Sequence, residues 1–345
     1  MNSSAGASSS IALLALMLPV LVLLAGWGAF ALWYQMPAGR ALKSISVALW
    51  MAFSGTVVIA LSLGRLVPSV LSFGAVFGAL LLWWRHLWPS NDRTWADDVS
   101  HMTSGVVHDS RVTLSNVRNF DWRTNSDYTQ RWETRNYDLR ILDAVDLILS
   151  YWSHRAIAHV LVSFGFADGE HIVFSVEVRR QRGDDFSELG GFFKEFNLSV
   201  IAADERDIIR VRTNVRGEDD YLYRIYLTKA TMRSLFLAYV DQANELVTKP
   251  RFYNTLSVNC TTLVYHMMKH VVGHLPWDYR VLLSGYLPEY FYRVGALDTR
   301  YTLQELRVFG RITERAKQSD RSENFSADIR RGVPPLDPTP GTAAM

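Results

Sequence analysis

His159-Val160-Leu161-Val162-Ser163-Phe164-Gly165-Phe166-Ala167-Asp168-Gly169-Glu170-His171-Ile172-Val173-Phe174-Ser175-Val176-Glu177-Val178 is the stretch on which the fold turns. Both arms are rich in β-branched and aromatic residues, and Ala167-Asp168-Gly169 between them is turn chemistry, so the stretch reads as an antiparallel hairpin. A three-residue loop with Gly169 in the left-handed bulge position sets His159 directly opposite Glu177, their Cβ atoms about 4.5 to 5.5 Å apart. A two-residue Asp168-Gly169 loop sets His159 opposite Val178 and turns Glu177 to the other face of the sheet. In the first register a carboxylate accepts from one imidazole nitrogen and leaves the other facing a nucleophile. The plainer reading is an ordinary histidine beside a charge on a solvated face.

The nucleophile that such a pair would serve is the chain's one thiol. Cys260 lies in Ser257-Val258-Asn259-Cys260-Thr261-Thr262-Leu263-Val264, where a polar turn passes into an apolar helical run expected to reach about Val272. A thiol at a helix N-terminus is biased toward thiolate by the exposed backbone N–H groups, and thiolate is what acyl transfer requires. A small buried hydrophobe is the other use of a lone cysteine.

Around these pieces, periodicity predicts a helix over Asp138–Tyr151 from Leu139, Leu142, Val145 and Leu149, and a helical segment over Phe186–Phe196. Arg111–Val117, Ser199–Ala202, Ile208–Thr213 and Tyr221–Tyr226 read as strands, and Thr231–Val247 as an amphipathic helix with Thr228 or Lys229 near its start. Ser90 to Tyr137 is otherwise a polar connection. The segment 319–345, with Pro334-Pro335, Pro338 and Pro340 and few apolar groups, is expected to be a disordered tail.

The N-terminal part has another character. No Asp or Glu precedes Asp92, and the fixed charges before it are Arg40, Lys43, Arg65 and Arg85. Apolar runs over Ile11–Tyr34, Ile45–Leu63 and Leu66–Trp84 each approach the roughly 20 residues that cross a bilayer, and the last ends in Trp83-Trp84-Arg85. Residues 1–89 are therefore expected to form a three-span transmembrane anchor and residues 90–318 a globular domain. Beyond the anchor 32 basic residues face 34 acidic ones, a balance that argues against nucleic acid as the partner. One cysteine excludes a disulfide scaffold. Loop charges alone favour a cytoplasmic domain, because Arg40, Lys43, Arg85 and Arg93 fall on one side against Arg65 on the other.

The blocks Asn116-Val117-Arg118-Asn119-Phe120, Tyr137-Asp138-Leu139, Ser150-Tyr151-Trp152, Ala158-His159, Phe174-Ser175-Val176-Glu177, Ala203-Asp204-Glu205-Arg206-Asp207, Tyr221-Leu222-Tyr223-Arg224 and Tyr253-Asn254 with Asn259-Cys260-Thr261-Thr262 resemble, in order and spacing, the Lnb N-terminal periplasmic domain family over roughly Thr103 to Met268. The resemblance implies a papain-like fold of the circularly permuted NlpC/P60 type, with Cys260 as nucleophile, His159 as base and Glu177 as orienting carboxylate. It implies an acyl-transfer role in bacterial lipoprotein maturation for the founding member, which carries its membrane part after the domain rather than before it. It also implies a periplasmic location, which outweighs the loop charges.

Several further residues are read two ways. Asn254 and Asn259 flank the thiol and either offer an amide to an oxyanion or hold the loop. Tyr151-Trp152 is first a core pair and second a wall for an acyl chain. Asp204-Glu205-Arg206-Asp207 is either a self-neutralised turn or a substrate-orienting group. Glu170-His171 is read as turn solvation. His266, His270 and His274 recur every fourth residue on the helix after Cys260, but no Glu follows His266 as H-E-x-x-H requires, so no metal is assigned.

The fold class expected is α+β, with N-terminal transmembrane helices followed by a papain-like domain built on an antiparallel sheet. The expected function is a thiol-dependent acyltransferase or hydrolase of ester or amide bonds, anchored in the bacterial inner membrane by a multi-pass segment with its soluble domain in the periplasm. Cys260, His159 and Glu177 are its catalytic residues, the Cys260 N–H its oxyanion donor, and Asn254, Asn259 and Trp152 its substrate contacts. It uses no cofactor. Its partners are membrane lipids and a lipoprotein or cell-wall substrate, not nucleic acid. The alternative is a non-catalytic envelope module that binds lipid or peptide.

Overall fold

The computed structural model describes residues 3–37 and 39–336, and the chain divides into two compact units. The first comprises residues 1–89 and 187–195. Helices α1 (Ser3–Gln35), α2 (Arg40–Ser62) and α3 (Leu66–Arg85) supply three stretches long and apolar enough to cross a membrane, Ala15–Gln35, Arg40–Ser62 and Leu66–Arg85. Trp50 ties two of them together by donating from Nε1 to the Ala25 carbonyl at 2.7 Å. The ring crowds Gly28, where an added Cβ would meet it at 2.6 Å. The helical segment expected over Phe186–Phe196 is a five-residue helix, α4 (Glu188–Phe192), whose two glycines shorten it. Next to it Phe193 packs among Trp27, Phe30, Tyr34 and Trp84. Gln35 Nε2 donates to the Phe193 carbonyl at 2.7 Å.

The second unit is built on one large sheet. Its strands are β1 (Ser104–His108), β2 (Arg111–Arg118), β5 (Trp132–Asp138), β6 (Leu142–Tyr151), β7 (His159–Phe166), β8 (His171–Arg179), β9 (Asn197–Ala203) and β10 (Asp219–Arg224). The small pair β3 (Asp121–Trp122) and β4 (Tyr128–Thr129) stands apart. The large sheet runs β1-β2-β9-β8-β7-β6-β10, with β5 beside β2, and every pairing is antiparallel except the single parallel contact of β2 with β9. Mixed α+β architecture with a mostly antiparallel sheet is thus what the chain adopts.

Both sheet faces are covered, which explains where periodicity misled. Leu147 and Leu149 of β6 join the larger core while Ile148 joins the smaller one on the opposite face. A strand buried on both sides loses its alternation, and Leu142 to Tyr151 consequently imitates a helix in sequence while forming a strand. The converse error falls at Ile208–Thr213, whose β-branched residues suggest a strand. There Asp204 caps a helix by accepting from the Arg206 N–H, and the chain continues as α5 (Glu205–Arg210) into a π turn over Val211–Val215.

The larger core packs α6 (Lys229–Thr248) and α7 (Thr262–Val272) on one face, with Phe236 edge-on to Phe164 and Phe174 and with Tyr239 stacked on Phe174. Thr228 caps α6 by accepting from the Thr231 N–H at 3.1 Å. Thr228→Ala should therefore cost about 1 kcal/mol and lower Tm by about 2–4 °C in a thermal melt, since a lost N-cap is worth that much in a domain this large.

The chain continues through α8 (Leu287–Arg293), α9 (Leu303–Gly310), α10 (Thr313–Gln318) and α11 (Phe325–Ile329). The tail expectation is corrected over 319–336. Phe325 and Ile329 of α11 are fully buried in the smaller core, and Arg330 is buried between Asp146 and Glu205. Two apolar side chains and one paired cation are enough to dock a segment that composition alone makes look unfolded. Residues 337–345 of that expectation lie outside the described residues.

Candidate functional site

The hairpin takes the three-residue loop. Leu161 stands opposite Ser175 and Gly165 opposite His171, with Gly169 at φ +91°, a conformation that suits glycine. His159 and Glu177 therefore extend the same ladder on the same face, and His159 Nε2 lies 3.2 Å from Glu177 Oε1. Ser175, two residues before Glu177, completes the contact. Its hydroxyl donates to Glu177 Oε1 at 2.7 Å and lies 2.7 Å from His159 Nε2. With that hydroxyl hydrogen committed to the carboxylate, Nε2 carries the proton and donates to Ser175 Oγ, so Nδ1 is the nitrogen left for a further partner.

The start of β7 is pinned from outside. Ser284 Oγ accepts from the Ala158 N–H at 2.9 Å and donates to the Ala158 carbonyl at 2.7 Å, while the Gly285 N–H donates to the Ala156 carbonyl at 3.0 Å. The approach is so close that a Cβ at Gly285 would meet the Arg155 carbonyl oxygen at 1.9 Å. Gly285→Ala should displace the 155–158 segment, cost about 1–3 kcal/mol, and lower Cys260 reactivity with it, measured as Tm and alkylation rate on one preparation.

Cys260 sits two residues ahead of α7, half-buried, in a loop closed by Asn254 and Val258, whose N–H groups each donate to the other's carbonyl at 3.0 Å. Asn259 orders the helix start. Its Oδ1 accepts from the Thr261 and Thr262 N–H groups at 2.9 Å each, and its Nδ2 donates to the Thr255 carbonyl at 2.7 Å. Asn254 Oδ1 accepts from the Leu256 and Ser257 N–H groups and from the Ser257 hydroxyl. Of the two readings for these asparagines, loop-holding is the one their side-chain bonds express. Among the described residues the Cys260 N–H itself takes no acceptor.

Burial pushes the Cys260 thiol up, but the His159 ring beside it, with smaller help from the Val160 N–H and Thr261, outweighs that and lowers its pKa below the ordinary value. Burial and the nearby Arg212 guanidinium push His159 down, but Glu177 and Cys260 outweigh them and raise it to about 9. Glu177 is held well below the carboxylate range, because His159, Arg212 and Ser175 outweigh its burial. All three shifts favour a thiolate beside an imidazolium beside a carboxylate.

Other expectations resolve differently. Trp152 is 46% exposed at the start of the β6–β7 connection, so it is not the core residue expected, while Tyr151 donates to the Gly285 carbonyl at 2.7 Å. Asp204 caps α5, Glu205 binds Ser163 and Arg330, and Asp207 receives Arg118, the Phe120 N–H and Trp122. The acidic cluster is consequently a set of structural acceptors. His266 and His270 lie exposed on α7, and no group of three metal-ligating side chains gathers among the described residues. Ser175 and Arg212 are the site residues that sequence reasoning missed. Period-two alternation from Glu177 would have found the first, whereas the second sits in the segment misread as a strand.

Residues 128–285 match the family model described as the Lnb N-terminal periplasmic domain, a stretch that starts later and ends further on than the blocks suggested and that contains Cys260, His159, Ser175, Glu177 and Arg212. No curated protein and no solved structure matches the chain.

Proposed function

We propose, on the premise that residues 128–285 are an Lnb N-terminal periplasmic domain of an envelope-located protein, that this chain is a cysteine-dependent acyltransferase or hydrolase acting on ester or amide bonds. The observation that carries the reading is His159, engaged at Nε2 by Ser175 and Glu177 with Nδ1 left for a further partner, beside a thiol whose pKa the imidazole lowers. The order of the parts, His strand and acidic strand before the Cys helix, is that of a permuted papain-like thiol site.

In the reaction the Cys260 thiolate attacks the substrate carbonyl carbon, forming a C–S bond and an oxyanion that the Cys260 N–H, which takes no other acceptor among the described residues, receives. The C–O or C–N bond then breaks as His159 Nδ1 gives its proton to the leaving oxygen or nitrogen. The neutral imidazole next takes a proton from an incoming amine or water, whose attack breaks the thioester and restores the thiolate. Glu177 and Ser175 hold the Nε2–H throughout and stabilise the imidazolium.

Trapping tests this directly. Purified full chain in detergent, incubated with a phospholipid carrying radiolabelled acyl chains, should acquire label that hydroxylamine removes, and Cys260→Ser should acquire none. Equal labelling of parent and variant, or binding without any covalent label, would return the protein to the non-catalytic binding module.

Three apolar helices and a periplasmic domain family fit an inner-membrane protein whose soluble unit lies outside the cytoplasm. A reporter active only in the periplasm and fused after Asp92 should give signal. A silent fusion, with a cytoplasmic reporter active at the same point, would reverse the orientation and make the loop charges the better guide.

A further inference from the structure

The candidate triad is one end of a longer polar row that crosses the sheet. Asp220 on β10 pairs with Ser150 on β6, and Ser150 pairs with His159 on β7. Glu177 on β8 continues the row beyond His159, so these side chains share one face. Against that face lies the π turn after α5, and from it the buried Arg212 reaches across. Its Nη2 donates to Glu177 Oε1 at 3.3 Å and its Nη1 to Glu218 Oε2 at 3.1 Å. Behind it the Ser150 hydroxyl is shared between Glu218 and Asp220. Glu177 therefore has two cationic partners, His159 on one side and Arg212 on the other. Arg212 in turn is held by a carboxylate on its far side.

A buried guanidinium placed only to neutralise charge would need no such span. A planar fork held at both ends fixes where the carboxylate oxygen sits, which an isolated cation does not. Glu177 Oε1 accepts from Ser175 and Arg212 and lies 3.2 Å from His159 Nε2, so its position is determined from three directions.

We infer that Arg212, anchored by Glu218 and the Ser150–Asp220 pair, is a positioning residue that fixes Glu177 against His159 and so sets the reactivity of Cys260. The inference rests on the thiol reading above. The charged groups that bear on Arg212 are Glu177 on β8, Glu218 just before β10, and Asp220 on β10. His159 on β7 also feels Arg212, Arg216 after the π turn faces Arg212, Glu218 and Glu177, and Arg118 on β2 faces Glu177 and Asp98 in the short helical turn before β1. Burial raises Asp220 to about 7, with Glu218 and Asp219 adding to that rise against Ser150 and Arg212. Asp220 is therefore the carboxyl of the row that titrates near neutrality, whereas Glu218, despite its burial, is held below its ordinary value by Arg212 and Ser150.

Because the chain has a single cysteine, iodoacetamide labelling reads Cys260 alone. Full chain in detergent is alkylated across a pH series, for the parent, Arg212→Gln, Arg212→Lys, Glu218→Gln, Glu177→Gln and the Arg212→Gln/Glu177→Gln double variant. The parent should become reactive well below the ordinary thiol range near about 8.5. Arg212→Gln and Arg212→Lys should both move that transition upward by about one pH unit, a roughly tenfold loss of rate on its acid side, since Lys keeps the charge and loses the fork. The double variant should lose no more than Glu177→Gln alone, as expected for residues acting through one another. Glu218→Gln, nearly isosteric, should show a smaller shift in the same direction and guards against an Arg212 variant that fails to fold, which circular dichroism reports. A parent transition below the ordinary range that no Arg212 or Glu218 variant moves overturns the positioning role and leaves the nucleophile standing. A wild-type-like profile for Arg212→Lys alone reduces the residue to a charge and overturns the role as stated. A parent that alkylates as an ordinary thiol overturns both this inference and the thiol reading.

Discussion

Replacing His159 with Asn should move the alkylation transition of Cys260 from acid pH up to the ordinary thiol range near about 8.5, and should lower turnover of an ester substrate on the order of a thousandfold. The reason lies in the direction of the two coupled shifts. Against burial and Arg212, His159 is raised to about 9 by Glu177 first and Cys260 second, and against burial Cys260 is lowered chiefly by His159. A raised histidine contributes stability that is complete below its ordinary value and is lost as pH rises through about 9. A lowered thiol contributes stability that is present above its ordinary value and is lost as pH falls through its depressed one. The ion pair thus occupies the window between the depressed thiol value and about 9. Turnover should rise through the acid edge of that window and fall above its alkaline edge, where no imidazolium remains to protonate the leaving group. Combining His159→Asn with Cys260→Ser should cost little beyond either change, because nucleophile and base act as one unit. Additive losses, or an unmoved transition in His159→Asn, would separate the two residues and remove the mechanism.

The part of this site legible from sequence is the part that obeys a two-residue period. Gly169 permits one tight loop, that loop fixes the register, and the register delivers Glu177 to His159 without knowledge of anything else in the fold. Cys260 was legible as a thiol before an apolar run, though its neighbour Asn259 spends its amide on the helix start instead of on a substrate. Arg212 was not legible. Ile208, Ile209, Val211 and Thr213 are buried, and a β-branched run reads as a strand unless the capping by Asp204 is given more weight than propensity. The same limit explains β6, where burial on both faces erases alternation. Local chemistry survived where a tight turn decided the outcome, and failed where burial made composition imitate the wrong element.

The largest stability effect should come from the end of the chain, at a residue that composition assigns to a disordered tail. Arg330 donates from Nε to Asp146 Oδ2 at 2.9 Å and from its two terminal nitrogens to both oxygens of Glu205, at 2.6 and 2.8 Å. All three residues are buried, and Ser163 adds a further donor to Glu205 at 2.6 Å. Arg330→Met would leave two carboxylates buried without their cation, a loss of about 3–5 kcal/mol, because the desolvation cost remains when the compensating charge goes. In a domain of this size that lowers Tm by about 6–20 °C. Arg331→Met, beside it but with a side chain 79% exposed, should change Tm hardly at all, since solvent screens its pair with Asp328. The pH dependence separates a lost ion pair from lost packing. Glu205 is held down to about 2 by Arg330, so its contribution is present above the ordinary carboxylate value and disappears as pH falls toward about 2. The deficit of Arg330→Met should accordingly be greatest at neutral pH and shrink in acid as the orphaned carboxylates take up protons. A deficit that stays constant with pH would mean that the arginine stem, and not its charge, holds α11 to the sheet, and an unchanged Tm would mean that the segment is not docked at all.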